Sequence, residues 1–88
     1  MYSVDSEVDD QVDGLPDSAR SAFESARETL ARAPWSGEPA NSANPDGQTR
    51  FLPLRTSDGS GLVIYVIVEH ARQVVILDVI WESLGDRR

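Results

Sequence analysis

The chain contains no cysteine and no lysine. Without cysteine, disulfides and thiolate-ligated zinc are excluded. The single histidine, His70, cannot assemble a zinc site alone or supply a Ser/His/Asp trio of recognisable pattern. The longest apolar run, Leu62 to Val68, is too short to cross a bilayer as a helix. The opening residues, MYSVDSEVDD, turn acidic at once and lack the basic and apolar pattern of a signal peptide. Together these absences predict a protein of the reducing cytoplasm with no membrane segment. A phosphate-binding loop is also missing, because Asp58-Gly59-Ser60-Gly61 is followed by neither lysine nor helix. No cofactor is expected.

Positive charge is scarce as well. Eight arginines face fifteen carboxylates, for a formal net charge of −7, and the pI is near 4.4. Such a field repels nucleic acid, since non-specific phosphate binding needs the opposite sign. The acid excess sits in the first thirty residues, which hold eight acids and two arginines, whereas residues 49–76 hold three arginines and two acids. Glu7, Asp9, Asp10 and Asp13 read as a solvated helix face, not a calcium loop. Arginine used exclusively, beside much alanine, glycine and aspartate, matches the codon bias of a GC-rich genome such as an actinobacterium's.

Eighty-eight residues are enough for one small domain, 1–88. Tyr2 to Val4 suits a short strand. Val8, Val12 and Leu15 recur at helical spacing after a cap at Asp5 or Ser6. Leu15-Pro16-Asp17 restarts the chain into a second helix, with Ala19, Phe23, Ala26, Leu30 and Ala33 on one stripe and Pro34 as its stop. The spacing predicts an antiparallel helical hairpin over about 5–33. Residues 34–48 read as loop, with Trp35 packed on the hairpin at its start. A strand meander follows over 49–81, with a short tail at 82–88.

In the first strand of the meander, Arg50, Leu52 and Leu54 alternate with Phe51, Pro53 and Arg55, and Pro53 implies an edge or a bulge. Ser57 to Gly61 makes the hairpin loop, with its glycines taken to supply positive φ. Tyr65 reads as core and His70 as a solvated turn residue. The last two strands are apolar on both faces, and such a sheet must be covered on both sides. Only upstream helices are at hand, so one face is left for a partner. Val74, Ile76, Asp78 and Ile80 alternate onto one side, and Asp78 marks that side as the open, partner-binding face. The fold class is α+β, β-α-α-β-β-β, with the helical hairpin on one face of an antiparallel sheet.

Several of these stretches resemble the RelE/ParE toxin superfamily. The resemblance rests on Leu15-Pro16, Arg20, Phe23, Ala26, Leu30, Pro34-Trp35 and Gly37, then an arginine-containing strand, then GLVIYVIVE (61–69) and VVILDVIW (74–81). It implies the toxin component of a type II toxin–antitoxin pair, neutralised by a cognate antitoxin that wraps it. RelE-like members cleave mRNA on the ribosome; ParE-like members inhibit gyrase. The basic residues of the ribonucleases do not carry over. Two family lysines correspond to Phe51 and Pro53, the arginine opening the central strand to Leu62, the arginine after the last strand to about Glu82, and a later tyrosine to about Arg88. Arg50, Arg55 and Arg72 remain as the catalytic candidates, with Arg55 also suited to an ion pair with Asp58 or Glu82. Arg87 and Arg88 belong to the tail. Two other readings stay open: a non-toxic protein-interaction domain, of which a homodimer pairing its open faces is one form, and an active, ribosome-dependent mRNA endonuclease.

Overall fold

The computed structural model describes residues 1–41, 43 and 47–83. The elements in chain order are β1 (Ser3–Ser6), α1 (Asp9–Asp13), α2 (Asp17–Arg32), β2 (Glu38–Pro39), β3 (Thr49–Thr56), β4 (Gly59–Val68) and β5 (Gln73–Ser83). Short 3-10 turns occupy Pro34–Ser36 and Glu69–Ala71. The class is α+β, built on a five-stranded mixed sheet in the order β1-β5-β4-β3-β2. β1 runs parallel to β5, and the remaining pairs are antiparallel.

The helical layer differs from the expected hairpin. α1 is five residues long, too short to hold itself as a helix, and Gly14 and Pro16 break the chain within three residues of its end. Val8 and Val12 still bury their side chains, so the spacing was informative about packing even where the element is one turn. α2 is the main helix. Its buried stripe of Ala19, Phe23, Ala26 and Leu30 lies in the core with Leu54, Val63, Tyr65, Ile67, Val74 and Ile76 of the sheet. Pro34 buries its ring in the turn that follows.

The meander holds its expected order, with differences of detail. Ser57 and Asp58 alone form the β3–β4 turn, and no described glycine has positive φ. Gly59 and Gly61 are needed for closeness instead. A Cβ on Gly61 lands 2.0 Å from the Ile80 carbonyl oxygen, and one on Gly59 lands 2.4 Å from the Trp81 ring. The left-handed residue is Arg72, with φ 51°, in the β4–β5 turn. Pro53 stays in regular register opposite Leu62 without a bulge. Gln48 accepts from the Ile67 N–H (2.9 Å) and Thr49 from the Ala40 N–H (2.9 Å), so even-numbered residues of β3 face β4 and odd-numbered ones face outward. The missing N–H of Pro53 therefore falls on the outer edge of the sheet.

The bulge lies in β5 instead. Tyr65 pairs with Ile76 and Ile64 with Asp78, leaving Leu77 as the extra residue.

Candidate functional site

One face of the sheet carries α2; the other carries no described element. The pairing registers lay out the uncovered face in rows across the strands. Pro53, Leu62 and Ile80 form one row, and Phe51 and Ile64 lie between Glu38 and Asp78 in the next. Val66 and Val75 then lie between Thr49 and Asp5. Leu77, added by the bulge, is 44% exposed, and Ile80 is 48% exposed. The centre is apolar, and Glu38, Asp78 and Asp5 edge it laterally. Arg55, Ser60 and Glu82 close one end. A trough of about 480 Å³ opens there, with Phe51, Pro53, Leu62 and Ile80 along it and Glu38 and Glu82 at its sides.

The bulge divides the four residues expected to share a docking face. Val74 and Ile76 are fully buried beneath the helices, whereas Asp78 and Ile80 lie on the open side. The extra residue reverses the alternation, because each strand residue flips the face. Val75 and Leu77 thus join the open face, and Val79 and Trp81 pack toward the core. With Asp78 as the one polar residue in the two sets, nothing in the sequence marks where such a reversal falls.

The three candidate arginines do not converge. Arg50 is 7% exposed on the helix-covered side. Its guanidinium bonds the carbonyls of Gly37 (2.8 Å) and Gly47 (3.1 Å) and stacks on the Trp35 ring at 4.7 Å. Arg55 lies five residues further along the same strand, about 17 Å away at ordinary strand rise, on the opposite face. It makes no ion pair among the described residues, where Arg20–Asp17 is the one present. Asp58, its expected partner, instead accepts from Ser18 (2.8 Å) and Thr56 (2.7 Å). The Thr56 hydroxyl first, then that of Ser18, holds the Asp58 carboxyl below its ordinary value. Arg72 stacks on Tyr2 at 4.9 Å. Arg87 and Arg88 lie outside the described residues.

Between Arg50 and Arg72 runs a chain of contacts that single residue types do not announce. Tyr2 donates its hydroxyl to both Glu69 carboxylate oxygens (2.8 and 2.9 Å), and the Trp35 indole donates to Glu69 Oε1 (3.3 Å). Trp35 is 40% exposed, a bridge between Arg50 and Glu69 where a core anchor was expected. A carboxylate occupies the middle of this chain, the position where a phosphate between the two arginines would need cations. Tyr65 is core, as expected. It donates to the Pro34 carbonyl (2.6 Å), and burial pushes its phenol above the ordinary tyrosine value, against the opposing pull of the Arg50 charge. His70 is exposed in its turn. No group of metal-ligating residues occurs among the described residues, and no described helix is long and apolar enough to cross a membrane. No protein-family model, curated protein or solved structure matches the chain.

Proposed function

We propose that this protein is a RelE/ParE-like toxin-type subunit that acts by protein binding, covered by a cognate antitoxin through the uncovered face of its sheet. The observation that carries this reading is the apolar face bearing Leu77 and Ile80 (44% and 48% exposed), which has no covering element among the described residues. Contiguous apolar surface of this kind is ordinarily an interface. The element order, one strand, two helical segments and a closing meander, is compatible with the family resemblance; β2 and the short α1 are departures from it.

The ribonuclease reading has less support. Arg50 is committed to the Gly37 and Gly47 carbonyls, Arg55 lies on the other face, and Glu69 separates Arg50 from Arg72. The test is induced expression in a related host, with and without the neighbouring gene. Growth arrest relieved by the neighbour supports the toxin reading, and translation that continues during arrest supports a protein target. A folded protein that causes no arrest removes the toxin role.

A further inference from the structure

We infer that the open face takes a cationic amphipathic helix from another protein, laid across β3, β4 and β5 with an apolar anchor in the trough at Pro53, Leu62 and Ile80. This rests on the face being a docking surface and adds the occupant's secondary structure and charge.

The edges of the sheet argue for a helix. An added strand needs outward N–H and C=O groups, and the β3 and β1 edges restrict them. Past β1 the edge of β5 runs on from Leu77 to Ser83, interrupted by the bulge at Leu77 and by the Val79 N–H donating to Asp78 Oδ1 (2.8 Å). Beyond its two-residue pairing with β2, the next outward position of β3 is Pro53, which has no N–H. At the other edge, β1 is tied to α2: Tyr2 donates its N–H to the Ala31 carbonyl (2.7 Å), and Arg27 reaches the Val4 carbonyl (3.5 Å). The face itself offers side chains, whose backbone groups are engaged within the sheet. A helix needs nothing more, because its own backbone is internally bonded. The covered face supplies the measure: α2, sixteen residues long, is the principal helix on the opposite side of the same sheet. A guest of similar length, about 24 Å, completes a helix–sheet–helix sandwich.

Charge selects the guest. Asp5, Glu38, Asp78 and Glu82 lie on the open face, where Arg55 is the cation that the described strands contribute, Arg50 lying on the covered side. A second copy would bring the same acidic rim and its own net charge of −7, and like charges brought together at an interface are repelled. Lysine or arginine flanking an apolar stripe meets Glu38 and Glu82 on either side of the trough.

Three synthetic eighteen-residue peptides test this against the full chain. One has leucines at helical spacing flanked by lysine and arginine; the second replaces those cations with glutamate; the third keeps the cations and carries two central prolines. Binding is followed by backbone amide shifts, peptide helicity by circular dichroism, and the protein's own association by sedimentation. The expected result is that the first peptide alone binds, gains helicity and shifts the amides of Leu62, Leu77 and Ile80. Ile80→Asp should weaken it at least tenfold, and Glu38→Gln/Glu82→Gln should weaken it severalfold with a shallower salt dependence. Both variants should keep the parent's unfolding midpoint within a few degrees. Equal binding of the glutamate or proline peptide at the same amides overturns the inference and leaves a docking face. Binding of the first peptide unaltered by Ile80→Asp also overturns it, as does sedimentation of the protein alone at low salt as a dimer protecting those amides. No binding by any peptide, with the face amides unmoved, overturns both the inference and the docking role.

Discussion

Replacing Arg50 by alanine leaves the carbonyls of Gly37 and Gly47 without the guanidinium that bonds them inside the fold. The expected loss is about 2–4 kcal/mol, since buried charged hydrogen bonds are costly to break on one side. Lysine should recover only part of it, because an ammonium cannot reproduce the planar fork or the stacking on Trp35. Urea unfolding of the two variants measures both. Tyr65→Phe removes the donor to Pro34 and should cost about 1–2 kcal/mol. It should also change the alkaline behaviour. The folded phenol titrates above the ordinary tyrosine value, so the folded state holds its proton where the unfolded chain has lost it. Its contribution is full below about pH 10 and is lost as pH rises through the folded value. Stability of Tyr65→Phe measured from pH 9 upward should fall less steeply than that of the parent. At this scale much is legible in sequence: Tyr65 reads as core because both its neighbours on the strand face are apolar. Arg50 does not, because its partners are carbonyls of a loop, which no residue type signals.

Strands carry a different kind of information. β3 is legible because Arg50, Leu52 and Leu54 alternate with Phe51, Pro53 and Arg55, and the register keeps those two sets apart. β5 is not, since VVILDVIW supports two face assignments and the choice depends on Leu77 slipping out of register against β4. β2 is equally hidden, as Glu38-Pro39 has little strand propensity and exists only through its pairing with β3. Deleting Leu77 tests the bulge. Ile76 already pairs with Tyr65 and Asp78 with Ile64, so the ladder closes without rearrangement and both flanking partners survive. The expected change in stability is about 1 kcal/mol or less, with the slow-exchanging amides of β4 and β5 retained. Wholesale loss of those amides would mean that the bulge sets the sheet's curvature. Pro53→Val restores the outward N–H at the edge of β3. It should leave the unfolding midpoint little changed yet raise aggregation on prolonged incubation, read by light scattering, because a guarded edge becomes a pairing edge.

For the molecule as a whole, acidity and an apolar face act in opposition. The net charge of −7 disperses copies through a screened field that extends about 10 Å at 0.1 M salt and about 3 Å at 1 M. Attraction between the apolar faces persists as that field shrinks. Self-association is therefore expected to be weakest at low salt and to increase toward 1 M sodium chloride, with Leu77→Asp/Ile80→Asp removing most of the increase. Sedimentation velocity across a salt series decides it, and association that falls with salt would point to ion pairs between copies. The need for a cover on the second face is legible in sequence, because the last two strands are apolar on both sides. The composition of the acidic rim is not, since Glu38, Asp78 and Asp5 come together only when β2, β5 and β1 take their places.

The parallel pairing of β1 with β5 also sets an order of events during synthesis. Ser3 must wait for Gln73 and Ser6 for Ile76 before either is seated. At about 5–20 residues per second, the first strand spends roughly 4–14 s on the ribosome without a neighbour. α2 can coil during that interval, but its buried stripe has no sheet to meet until β3, β4 and β5 have followed it out. Nascent chains are thus exposed to chaperones through their N-terminal half. The domain closes in one late step, and the open face comes into existence only then.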